Sequence, residues 1–173
     1  MNNIYPYRGI LPKIADNAFI APSADIIGDV TIGEQSGIWF HCTVRGDVND
    51  IRIGKRTNIQ DNTVIHVSSN GQGTYIGDDV TVGHCALLHA CTIEDGAFIG
   101  LQACIMDDAL VEKGAMVAAG ALVTPGKTVK TGEVWAGSPA KKLRDIKPED
   151  LVFFQENIER YCGLAQEYRL NLP

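Results

Sequence analysis

Apolar residues recur every sixth position along most of this chain, a spacing that neither the 3.6 period of a helix nor the plain alternation of a strand produces. The anchors run Ile20, Ile26, Ile32, Ile38 and Val44, then Ile53, Ile59 and Ile65, then Ile76, Val82 and Leu88. They continue through Ile93, Ile99, Ile105, Val111, Val117 and Val123. Four places after each of the first sixteen anchors stands a small or β-branched residue, from Ala24, Val30, Ser36 and Cys42 to Ala109, Ala115 and Ala121. Val48, Ser69 and Thr92 belong to the same series. Such a double pattern predicts a parallel β-helix of hexapeptide repeats, in which short strands form the flat sides of a prism. Each anchor points inward, and the small residue sits inside near a corner. Three hexads close one coil, and coils stack at about 4.8 Å, so the sixteen hexads predict a little over five coils and a prism about 25 Å tall.

The rest of the chain is arranged around that prism. Residues 1 to about 19 read as an irregular extension, broken by Pro6 and Pro12. The repeat stops at Thr124-Pro125-Gly126, and Ala136-Gly137-Ser138-Pro139-Ala140-Lys141 makes a closing turn, which puts the β-helix over 20–140. A helix follows within 146–170, from Pro148 to about Arg169, because proline suits the first helical position and Glu149 and Asp150 favour its positive end. Leu151, Phe154, Ile158, Tyr161, Leu164 and Tyr168 share one face of it, to be packed along the outside of the prism. All of this makes one domain over 1–173. The general crossover rule favours a right-handed coil, but the chain resembles hexapeptide-repeat proteins, and that resemblance implies a left-handed one.

Three breaks in the period stand out. Three extra residues fall between Val44 and Ile53, the chain runs eleven rather than twelve residues from Ile65 to Ile76, and one is missing between Leu88 and Ile93. All lie around the histidines, and local rules tend to break at functional sites. His66 lies eighteen residues, three hexads, before His84, and His84 and His89 are five apart. His66 and His89 directly follow inward anchors and so point outward; His84 stands two after its anchor. Outward side chains on a convex prism diverge, but a second prism packed against the first brings them together, and a trimer offers three equivalent grooves. Three neutral imidazoles with an open fourth position form a ligand set of catalytic zinc. His41, beside Trp39-Phe40 and without a partner at coil spacing, reads as structural.

Composition narrows the classes. A net charge of −6 without a basic run excludes a nucleic-acid partner, and no apolar stretch is long enough to span a membrane. The N-terminal residues show no signal-peptide pattern, so a cytoplasmic location is expected, with the five cysteines as reduced thiols. Cys42, Cys85 and Cys91 fit packing positions better than ligand or redox roles.

The strings Val44-Arg45-Gly46-Asp47, Asn58-Ile59-Gln60-Asp61-Asn62-Thr63-Val64-Ile65-His66, Val82-Gly83-His84 and Leu88-His89 resemble the γ-class carbonic anhydrases, over nearly the whole chain. The resemblance implies a homotrimer with Zn2+, or Fe2+ or Co2+, at each subunit interface, held by His66 and His89 of one chain and His84 of its neighbour. It implies reversible hydration of carbon dioxide to bicarbonate by a metal-bound hydroxide. Gln60 would orient that hydroxide, with Asn58 in the same pocket. Arg45, Asp47 and Asp61 match charged residues that link subunits and line the site, and Tyr161 matches an active-site tyrosine or packs the helix. In two loops the best-known family member carries acidic residues credited with proton transfer. The matching segments here, Val48-Asn49 and Val67-Ser68-Ser69, contain no glutamate, which predicts hydration slowed at proton removal. The alternatives on the same scaffold are an acyl-CoA thioesterase, an acyltransferase using one histidine as general base on a coenzyme A thioester, or a non-catalytic scaffold.

Overall fold

A computed structural model describes residues 3–172; residues 1, 2 and 173 of the expected domain lie outside them. The chain forms a parallel β-helix of about seven turns closed by one C-terminal helix. Its interior is three columns of stacked anchors. One column runs Ile4, Ile26, Val44, Ile65, Leu88, Ile105 and Val123. A second runs Ile14, Ile32, Ile53, Ile76, Ile93, Val111 and Val129. The third runs Ile20, Ile38, Ile59, Val82, Ile99, Val117 and Trp135. Every pairing among these strands is parallel, and the antiparallel pair Glu133–Gly137 with Ala140–Asp145 ends the stack.

Two coils more than expected come from the ends. Asn3–Tyr5 and Lys13–Ile14 pair with Asp25–Ile32, so the segment read as an irregular extension is the first coil. Ile14 keeps the six-residue spacing to Ile20, but ten residues separate it from Ile4, and a turn bridged by Tyr7 and Ile10 takes up the excess. At the other end the repeat runs past Thr124-Pro125-Gly126 through Thr128–Val129 into Glu133–Gly137.

Corners repeat as regularly as anchors. Three residues after an anchor the backbone turns with positive φ at Gln35, His41, Arg56, Asn62, Asp79, Cys85, Gln102 and Asp108, and at Gly96, Gly114, Gly120, Gly126 and Gly132. His41 is therefore a corner residue, its amide bonded to Ser23 Oγ at 3.1 Å, in keeping with the structural reading. Of the sixteen small residues expected inside, thirteen are buried, but Val48 and Ser69 are exposed and Thr92 is half-buried on the outer surface. These three follow the register breaks. The coil shortened after Leu88 puts Cys91, not Thr92, inside. The breaks are also bonded to one another: Asn49 Nδ2 donates to the carbonyls of Ser68 and Gly71, and Gln72 Nε2 to that of Ala90.

The helix α1 (Pro148–Asn171) lies on the third face, burying Phe154, Ile158 and Ala165. Tyr161 and Leu164 pack against the core, and Tyr168 rests on Phe19, Trp39 and Phe40. Leu151, expected on this face, is exposed; it precedes the turn at which α1 meets the prism. Asp150 accepts the amide of Lys147 at 2.8 Å and pairs with Arg144 on the last strand. The Arg144 guanidinium, then the Lys147 amide, pull the Asp150 carboxyl down to about 2. A lowered folded value means stabilisation that is present above the ordinary carboxylate range and is lost as pH falls through about 2. Asp150→Asn is therefore expected to cost about 1 kcal/mol at neutral pH, with the melting curves of variant and wild type converging between about pH 4 and pH 2.

Candidate metal centre

Strand Val64–His66 holds Ile65 inside and turns its flanking side chains out. Strand Leu87–His89, one coil on, does the same around Leu88. His66 and His89 are register partners, with ring centroids 5.3 Å apart. The spacing that matters is therefore twenty-three residues, not the eighteen that separate His66 from His84. Eleven residues from Ile65 to Ile76, where one hexad takes six, lengthen this coil by five. His84 stands two after Val82 of the third column, just before the corner at Cys85 and beside α1. Its neighbour Gly83 passes so close to the next coil that a Cβ would lie 2.6 Å from the Leu101 amide nitrogen.

Each imidazole is backed by a carboxylate. His66 Nε2 lies 3.0 Å from Asp47 Oδ1, His84 Nδ1 2.9 Å from Asp61 Oδ2, and His89 Nδ1 2.7 Å from Asp107 Oδ1. Such a bond fixes ring orientation and tautomer and raises the basicity of the other nitrogen, the usual arrangement behind a metal-ligating histidine. Asp47 also pairs with Arg45 and accepts the Val48 amide at 2.8 Å. Burial works to raise its carboxyl, but the bonds to His66 and Arg45 prevail and hold it below the usual carboxylate range. Asp61 also accepts the Phe40 amide at 3.2 Å. The Tyr161 hydroxyl stands 3.5 Å from His84 Nε2, and burial pushes that phenol up.

Asn58 and Gln60 are buried, joined by Gln60 Nε2 donating to Asn58 Oδ1 at 3.1 Å. The expected residues thus fall into two groups. His66, His89, Arg45 and Asp47 share one region of the surface; His84, Asp61 and Tyr161 form the other, with Asn58 and Gln60 on the strand leading into Asp61. Among the described residues no three histidine, cysteine or acidic side chains of the single chain are placed to hold a metal ion together. Asp107 was not singled out from the sequence; the coil from Leu88 to Ile105 takes seventeen residues, so Met106 is level with His89 and Asp107 stands one place beyond it. Next to each group the outer surface is apolar. Val64 and Leu87, two residues before the stacked histidines, are 40% and 39% exposed, and Leu101, the register neighbour of His84, is also exposed.

The chain is 50% identical over 160 residues to "Gamma carbonic anhydrase 2, mitochondrial" of Arabidopsis thaliana, covering 90% of this chain. It is 46% identical over 166 residues to a carbonic anhydrase of Geobacillus kaustophilus, covering 96% of this chain and 91% of that one. The chain belongs to the γ-carbonic anhydrase family. It spans 58% of the length of that Arabidopsis relative. Among solved structures, a hexapeptide transferase family protein from Anaplasma phagocytophilum superimposes with a TM-score of 0.92 at 48% identity, covering 95% of this chain and 97% of that one. No family model matches the chain. Family membership agrees with the resemblance carried by the motif strings, and the repeat fold is shared with a protein described as a transferase. Among the described residues no helix is long and apolar enough to cross a membrane. The expected cytoplasmic location draws no support from the Arabidopsis relative, which is named as mitochondrial.

Proposed function

We propose that the protein is a metal-dependent enzyme of the carbonic anhydrase type, hydrating carbon dioxide reversibly to bicarbonate at the interfaces of a homotrimer. The observation that carries this reading is the set of three imidazoles, each oriented by its own carboxylate and split between two faces bordered by exposed apolar side chains. Val64 and Leu87 on one side and Leu101 on the other are surfaces that a second copy would cover. Packed so, the stacked pair His66 and His89 of one chain meets His84 of the next. The donor set suits a divalent cation of the zinc, ferrous or cobalt kind, since all three ligands are neutral imidazoles and each carboxylate stands behind a ring. Bound there, the cation would lower the pKa of a water toward 7 and so supply hydroxide at neutral pH.

The chain's own groups account for the remainder. His89 and His84 use Nδ1 for Asp107 and Asp61 and leave Nε2 free. His66 uses Nε2 for Asp47, so it ligates either through Nδ1 or by exchanging that bond. Gln60 orients the reacting water, Asn58 holds Gln60, and Arg45 with Asp47 ties the loop after Val44 to His66. Tyr161 reaches the site beside His84.

Metal analysis of protein purified without chelator, followed by a carbon dioxide hydration assay on the metal-loaded protein, tests this reading. About one divalent ion per chain is expected, as three equivalent interfaces per trimer require. Metal-free trimers that stay inactive after loading would end it, and turnover of an acyl-CoA thioester without metal would favour the thioesterase or acyltransferase instead. Within the proposal Asp107→Ala is expected to weaken metal binding about 10- to 100-fold in chelator competition, while His41→Ala leaves it unchanged.

A further inference from the structure

A line of buried polar side chains runs beneath α1 along the third face of the prism. Asn58, Gln60 and Thr81 are 3%, 5% and 1% exposed, in strands whose other buried side chains are apolar. Gln60 Nε2 donates to Asn58 Oδ1 at 3.1 Å, and Asn58 Nδ2 donates to Thr81 Oγ1 at 3.0 Å. Thr81 Oγ1 in turn donates to Asn157 Oδ1, on α1, at 3.2 Å. One helical turn further on, Tyr161 reaches His84.

The line has a direction, because a hydroxyl has one proton and a primary amide has a donor end and an acceptor end. With Asn157 Oδ1 accepting, the Thr81 proton points to the helix and its lone pair receives Asn58 Nδ2. Asn58 Oδ1 is then left to receive Gln60 Nε2, and Gln60 Oε1 is left over. Among the described residues that oxygen accepts no hydrogen bond. If Asn157 instead presented its NH2, every link would reverse. Thr81 would donate to Asn58 Oδ1, Asn58 Nδ2 would face Gln60 Oε1, and Gln60 would offer a donor. The two directions present opposite chemistry to a water beside Gln60. An acceptor takes that water's O–H and leaves an oxygen lone pair free to attack carbon; a donor occupies the lone pair.

We propose that Asn157 is a positioning residue which, through Thr81 and Asn58, fixes the direction of this line so that Gln60 presents Oε1 as an acceptor to the reacting water. The inference deepens the proposed hydration and rests on it for its consequence, but the direction of the line is a property of the chain alone. It also gives α1 a part in the chemistry: through Asn157 the helix orients an amide buried beneath it on the third face, without touching the reactants.

The test compares Asn157→Asp, which can only accept, with Asn157→Leu, which does neither. Thr81→Ser, which keeps the hydroxyl, is compared with Thr81→Val. In the metal-free protein the side-chain NH2 of Gln60, observed by 1H–15N NMR, is expected to exchange slowly in wild type, Asn157→Asp and Thr81→Ser. In Asn157→Leu and Thr81→Val exchange is expected to rise about tenfold, equivalent to losing one buried hydrogen bond. In the metal-loaded protein the same two variants are expected to lose about tenfold in kcat with KM and metal content unchanged. Slow Gln60 exchange retained in Asn157→Leu would overturn the proposal, as would equal loss in Asn157→Asp and Asn157→Leu. If wild type shows no hydration, the exchange measurement still decides the direction of the line, and only the functional reading falls.

Discussion

Assembling His84→Ala chains with His89→Ala chains is expected to restore about one quarter of wild-type metal content and hydration, although each variant alone has close to none. The fraction follows from the proposed trimer. A site built from His66 and His89 of one chain and His84 of the next is intact wherever a chain lacking only His84 precedes one lacking only His89. Random mixing makes about three quarters of trimers mixed, and each mixed trimer, of either composition, contains one intact interface in three. Refolding an equimolar mixture and measuring metal per chain and hydration rate checks this. A site contained within one chain leaves the mixture as empty as its components, so the same experiment separates the two arrangements. Within the single chain the stacked pair His66 and His89 sits apart from His84, which faces Tyr161 of α1.

The period of six carried most of the architecture, because a coil that repeats exposes the same inward demand at every third hexad. Twenty-one anchors in three columns obey it. What escaped were the places where a loop interrupts the count. Ile4 is in column but ten residues from Ile14, and Val48, Ser69 and Thr92 keep the spacing on paper while the backbone at each break turns them outward. Trp135 continues the third column although it is neither aliphatic nor fully buried.

Of the candidate site, the outward placement of the imidazoles was legible, but their pairing was not. That His66 and His89 point outward followed from their place after an anchor. That they are partners depends on how many residues the segment after Ile65 loops out, which a hexad count does not fix. Asp107 shows a related difficulty. Asp108 stands three after Ile105, the corner place with positive φ, whereas Asp107 stands two after it and meets His89 only because the coil from Leu88 to Ile105 is one residue short. The line from Gln60 to Asn157 joins positions about a hundred residues apart, and only the docking of α1 brings its ends together.

Gly28→Ala is expected to be the most damaging single methyl addition outside the anchors, and Gly96→Ala is its control. Both glycines have positive φ, +78° and +66°, so alanine at either pays for a left-handed backbone, about 1–2 kcal/mol. They differ in surroundings. A Cβ on Gly96 meets nothing within 4 Å, whereas one on Gly28 would lie 2.2 Å from the Gly46 carbonyl oxygen and 3.3 Å from Tyr7 Cβ. Backbone has to move, which adds about 1–3 kcal/mol of overpacking. The total for Gly28→Ala, about 2–5 kcal/mol, lowers the melting temperature by on the order of 10 °C in a chain of this size; Gly96→Ala should lose only a few degrees. The functional consequence is also local. Gly28 is the register partner of Gly46, which lies between Arg45 and Asp47, and Asp47 holds His66. Pushing Gly46 outward therefore drags the carboxylate from its imidazole, and metal affinity should fall in Gly28→Ala but not in Gly96→Ala. Equal losses of stability in the two variants would show that the coil accommodates the Cβ. The close approach of Gly28 to Gly46 would then not be what sets the Arg45–Asp47 turn.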